Sequence, residues 1–147
     1  MLETDLLGDL IQRKRSCLVQ LRDMGEKQLA LVRDGDITHL LELLAAKQHV
    51  LTQLQQVERQ LGRFRGQDPQ QRHWRTPQKR QECAGDLAEC ERLLAQIVTQ
   101  EKQSEQELIR RRDDAAAQLA GAHWASHARG AYLAQPQNGA GQLDLKT

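Results

Sequence analysis

Aromatic side chains are scarce in this chain: Phe64, Trp74, Trp124 and Tyr132 are all it holds in 147 residues. A broad globular core usually contains more rings, so the shortage argues for helices meeting along narrow aliphatic seams. Proline occurs only at Pro69, Pro77 and Pro136, which leaves long stretches free of helix breakers. No stretch approaches the roughly 20 consecutive apolar residues of a bilayer span, and the basic and apolar pattern of a signal peptide is missing from Met1–Asp5, so the expected address is cytoplasmic. An excess of one charge is lacking too. Lys and Arg number 21 against 20 Asp and Glu, a balance that gives no overall field for nucleic acid or an anionic membrane. Cys17, Cys83 and Cys90 form no CxxC pair, and an odd number of thiols is a poor disulfide framework. They read as reduced, partly buried thiols.

What is present is leucine at helical spacing. From about Thr4 to Asp34, apolar residues recur at Leu7, Leu10, Ile11, Cys17, Leu18, Leu21, Met24, Leu31 and Val32, one stripe of a helix that Lys14 and Gln28 interrupt. Gly35 is placed to close it in the left-handed conformation, and Asp36 to cap the next helix within about two residues. So short a joint makes the two helices antiparallel neighbours. The second stripe runs through Ile37, Leu40, Leu44, Leu51, Leu54, Val57, Leu61 and Phe64, near a 3.5-residue repeat. Gly66 to Thr76 is polar and lacks periodicity, so it reads as an expendable loop in which trypsin would cut first, at Arg72 or Arg75. Thr76-Pro77 then restarts a helix. Its stripe is Cys83, Leu87, Cys90, Leu94 and Ile97, with Glu101 and Ser104 as polar breaks, then Leu108, Ala115 and Leu119.

These readings give an all-α fold, an antiparallel three-helix bundle of coiled-coil character. Its helices span about residues 4–34, 37–65 and 77–128 of a domain over 1–134, followed by a flexible tail over 135–147. Helices of about 30 residues reach about 45 Å, so the first two are expected to cover the third only to near Leu108. The surplus carries Leu108, Ala115, Leu119, Ala122, Trp124, Tyr132 and Leu133, a set suited to another helix. These are the candidate partner-binding residues, with Leu119, Trp124 and Tyr132 as anchors and the alanines allowing close approach.

Chemistry is harder to find. His123 and His127 stand one helical turn apart, but the glutamate of a HExxH site is missing and no third ligand suggests itself. No metal, cofactor or catalytic residue is assigned, and an enzyme is not expected. Arg63, Arg65, Arg72, His73, Arg75, Lys79 and Arg80 surround Trp74. That cluster could grip phosphates with a ring stacked on a base, although a solvated loop is the plainer reading and nucleic acid is not the expected partner.

A first helix ending in Gly35-Asp36, followed by Leu40, Leu43, Leu44, Lys47, Leu51, Leu54, Glu58 and Leu61, resembles the signature of the FlgN family of flagellar type III export chaperones. The resemblance covers most of the chain through its leucine heptads. It implies a cytosolic chaperone that binds the carboxyl-terminal helices of hook-filament junction proteins, prevents premature assembly and delivers them to the export gate, where export-apparatus components become partners. A homodimer through the third helix is also open. The alternatives are a coiled-coil export escort of the FliJ type, expected as two long helices, and a nucleic-acid-associated coiled coil using residues 63–80.

Overall fold

The structure, a computed structural model, describes residues 1–138. Three α-helices make up its framework: α1 (Glu3–Asp34), α2 (Ile37–Leu61) and α3 (Pro77–Asn138). Two single-turn 3-10 helices, Gly62–Phe64 and Pro69–Gln71, lie between α2 and α3. Residues Met1–Glu107 form one compact unit, an antiparallel three-helix bundle, and the residues from Leu108 onward form a second.

The helix boundaries follow from local chemistry. Asp5 reaches back to accept a hydrogen bond from Leu2 N–H at 3.0 Å, which supplies a partner for one of the orphan donors at the start of α1. Gly35 (φ 70°, ψ 22°) closes α1 in the left-handed region, where a side chain would be strained. Its N–H and that of Asp36 donate to Val32 O and Leu31 O. The Asp36 carboxylate then accepts from His39 N–H at 3.2 Å and opens α2. Thr76 Oγ1 does the same for Lys79 N–H at 3.1 Å, with Pro77 as the first helical residue.

All three helices bury an alternating three- and four-residue repeat. In α1 it runs 4, 7, 11, 14, 18, 21, 25, 28 and 32; continuing from α2 into the first 3-10 turn it runs 40, 43, 47, 50, 54, 57, 61 and 64; in α3 it runs 83, 86, 90, 93, 97, 100, 104 and 107. Every one of these positions is buried or half-buried. The period is that of the leucine stripes, but part of two helices buries the neighbouring phase. Leu44, Leu87 and Leu94 are exposed, while Val50 and Leu93 occupy the seam together with Lys47, Asp86, Gln100 and Glu107.

The apolar core has two sections. Leu7, Leu10, Ile11, Val57, Leu61 and Phe64 pack together, with Trp74 and Cys83 against them. Cys17, Leu18, Leu21, Val50, Cys90 and Leu93 form the other, flanked by Leu51, Leu54 and Ile97. Leu51 and Leu54, expected as core leucines, are half-buried. All three cysteines are free, and burial raises each thiol's pKa, which keeps it protonated at neutral pH.

The segment between α2 and α3 is fastened down, contrary to its reading as an expendable loop. Thr4 Oγ1 donates to His73 O at 2.6 Å, Arg75 Nε donates to both oxygens of Asp5 at 2.9 and 3.1 Å, and Arg72 donates to Phe64 O at 3.2 Å. Trp74 packs on the core. Polarity along a segment reveals its exposure and conceals its tethers, because the partners lie about 70 residues away on α1.

At the other end, α3 continues to Asn138 rather than stopping near residue 128. Ala125, Ala128, Ala131 and Ala134 favour helix up to Pro136, which stands two residues from the last helical position and so perturbs only the final turns. The expected tail is thus helical over 135–138, and its remainder, 139–147, lies outside the described residues. No helix among the described residues is long and apolar enough to cross a membrane.

Candidate functional site

The second unit supplies the predicted binding surface. Over 108–138 it is a single stretch of α3, rich in alanine and therefore helix-favouring by composition. Leu119 is 72% exposed, Leu133 69% and Trp124 52%. Leu108, Ala115 and Ala122 are exposed as well. Tyr132 lies on the helix backbone, with its side chain outside the described residues.

Continuous helix fixes how these residues are grouped. At about 100° per residue, Leu108, Ala115, Leu119, Ala122 and Leu133 fall within a band about 60° wide, whereas Trp124 stands about 160° away from Leu108. The expected single surface is therefore two. One is a leucine and alanine stripe. The other places Trp124 among Ala117, Gly121, Ala128 and Ala131, at spacings of four and three residues that let a neighbouring backbone approach. Arg110, Arg111, Arg112, Asp113 and Asp114 give the start of the segment nearly balanced charge, and Arg112 pairs with Asp113 at 3.2 Å. The rings of His123 and His127 meet edge to face, with centroids 4.5 Å apart. Among the described residues no group of three or more His, Cys, Asp or Glu could hold a metal ion.

Within the first unit the structure brings together polar residues from all three helices. Lys47 is buried in α2 and donates through Nζ to Gln28 Oε1 of α1 at 2.9 Å. The same Nζ pairs with the Glu101 carboxylate of α3. Gln100, the residue before Glu101, is buried and donates through Nε2 to Arg22 O at 3.1 Å. Gly25 makes room for it, since a Cβ there would lie 2.9 Å from Gln100 Cδ. Ser104 is also buried. Gln28 in α1 and Glu101 in α3, each a polar break in the stripe of its own helix, meet through Lys47 of α2, so the polar layer has a member on every helix. Spacing within one helix cannot announce such a layer, because its hydrogen bonds join residues 19 and 54 apart in sequence.

The basic cluster has been drawn into the fold. Arg63 pairs with Glu3 at 2.8 Å, Arg65 with Glu58 at 3.4 Å and Arg75 with Asp5 at 2.9 Å. Backbone donation from Leu2, then the bond from Arg75, lowers the Asp5 pKa. A cavity of about 480 Å³ nearby is lined by Leu2, Thr4, Phe64, Asp68, Arg72 and His73 among others. Its Thr4 hydroxyl, Asp68 carboxylate and Arg72 guanidinium are all engaged within the chain. Comparison with family models, with curated proteins and with solved structures finds no match.

Proposed function

We propose that this protein is a helical export chaperone whose carboxyl-terminal helix captures an amphipathic helix of a secreted client. The observation that carries the reading is the exposed stripe of Leu108, Ala115, Leu119, Ala122 and Leu133 on one side of a helix. An apolar stripe of that length suits a partner laid alongside it in the helix-in-groove mode. The leucine and lysine pattern of α2 supports assigning the client to the hook-filament junction proteins of the flagellum, through their carboxyl-terminal helices. Escort to the export apparatus in the cytoplasm follows from the same assignment.

The FliJ-type alternative calls for two long helices, and three are present. Nucleic-acid binding through residues 63–80 is less favoured, because Arg63, Arg65 and Arg75 already face carboxylates and Trp74 packs on the core.

Calorimetric titration of the full chain with the carboxyl-terminal helix of a hook-junction protein tests the proposal. Saturable binding that changes little between low and physiological salt is expected of an apolar contact, and Leu119→Asp should abolish it. Absence of binding, or a steep loss with salt that tracks the arginines of 63–80, would overturn it.

A further inference from the structure

We infer that the polar layer of Gln28, Lys47, Gln100 and Glu101 is a register lock, which holds α3 at one position along the α1–α2 hairpin at a cost in stability. The hairpin needs no such device for itself, since the two-residue joint at Gly35–Asp36 fixes α1 against α2. α3 is different. It is connected through the longer segment 62–76, which polar contacts from Thr4 and Asp5 and the packing of Trp74 hold only near the start of α3, and its seam repeats every seven residues, so a slide of one heptad, about 10 Å along the helix, returns an a or d position to each a or d position.

The polar residues break that degeneracy. In the observed register Lys47 meets Glu101; one heptad in either direction would bring Leu94 or Leu108 to that place. Lys47 would then be buried against a leucine without its carboxylate. Gly25, now opposite Gln100, would meet Leu93 or Glu107, and the bond from Gln100 Nε2 to Arg22 O would be lost. A polar group at one seam position is an established way to fix register and oligomeric state, and its cost arises because buried polar groups are imperfectly compensated. Here Gln100 Oε1 and Ser104 Oγ are buried without a hydrogen-bond partner.

The test replaces the layer in the full-length chain and reads register directly. Gln28→Leu/Lys47→Leu/Glu101→Leu should raise the melting temperature by several degrees while splitting the amide resonances of the α3 seam into more than one set, or doubling the mass in light scattering as hairpins exchange between copies. One resonance set at wild-type positions away from the replaced side chains, with monomer mass unchanged from wild type, would overturn the inference. Should the triple variant not fold, the swap Lys47→Glu/Glu101→Lys decides. It should keep a single wild-type-like set and melt above Lys47→Glu alone, and a swap that melts no higher than Lys47→Glu, or shows several sets, would overturn the lock.

Discussion

The two parts of α3 have similar helical sequences and opposite fates. Over 83–107, Cys90, Leu93, Gln100 and Ser104 are buried, the last two despite being polar. Over 108–138, Leu119, Trp124 and Leu133 are exposed despite being apolar. Hydrophobicity of a residue type therefore does not decide its burial here. Substitutions that exploit the contrast should have effects that differ in kind as well as in size.

The largest effect is expected from a carboxylate in the covered part. Leu93→Asp, or Leu18→Asp opposite it in the same core section, removes a side chain with at most 1% exposure. Lost packing of about 2–5 kcal/mol, joined to the desolvation of a charge, exceeds what a domain with about 5–15 kcal/mol of stability can readily absorb. The cooperative thermal transition followed by circular dichroism should disappear. Leu119→Asp, by contrast, should leave that transition in place while client binding is lost. If Leu119→Asp also removed it, the second unit would be structurally necessary to the first, and the contrast would fail.

Next in size is a pair of glycines on α1. Replacing a mid-helix glycine by alanine ordinarily stabilises by up to about 1 kcal/mol. Gly8 has open space where a Cβ would stand, so Gly8→Ala should raise the melting temperature. Gly25 faces Gln100, and a methyl group there displaces an amide that donates to Arg22 O. Losing that bond costs about 1 kcal/mol, which offsets the propensity gain, so Gly25→Ala should give no increase. In a Gln100→Ala background the obstruction is gone and Gly25→Ala should stabilise. Equal gains from Gly8→Ala and Gly25→Ala in the wild-type chain would mean that Gln100 does not depend on the gap.

These pairs mark where the sequence was legible. Helix number, the Gly35–Asp36 joint, the Thr76-Pro77 start and the 3.5-residue period were all readable, because each is written in local residue chemistry. Phase was harder. A search for leucines chooses Leu44, Leu87 and Leu94, whereas the bundle buries Lys47, Asp86 and Gln100 to varying degrees, polar residues whose partners belong to other helices. The candidate binding residues were found by their composition, but their division into a leucine side and a Trp124 side required knowing that α3 stays helical through the whole segment. The tethers of the 62–76 connection were invisible for the same reason as the polar layer: Thr4 and Asp5 lie 69 and 70 residues away in sequence from His73 and Arg75.

A smaller effect should come from one of those tethers. Thr4→Val keeps the shape of the side chain and removes the hydroxyl that donates to His73 O, a loss of about 1 kcal/mol. Its sharper signature is local, since trypsin should then cut at Arg72 or Arg75 faster than in the wild type. Unchanged cleavage there would mean that the other contacts of this segment, Arg75 with Asp5 and Trp74 on the core, hold it without Thr4.

The smallest effect concerns the hairpin joint and depends on pH. His39 Nδ1 lies 2.7 Å from Asp36 Oδ2. The bond to Asp36 raises the His39 pKa above its usual value, and the bonds from His39 lower that of Asp36. A raised histidine contributes stability that is fully present below the unfolded histidine value, about 6.5, and is lost as pH rises through the folded value. A lowered aspartate contributes stability that is present above its unfolded value, about 3.9, and is lost as pH falls through the folded one. The pair therefore supports the joint from just above the aspartate range up to the histidine range, and weakens on either side. Denaturant melts of the wild type and His39→Ala should differ more at about pH 5.5 than at about pH 8.5, and less in high salt, because both groups are open to solvent and screened. A difference that stays constant across that interval would assign the contribution of His39 to packing rather than to its charge, and would leave the Asp36 cap on His39 N–H as the part of the joint that matters.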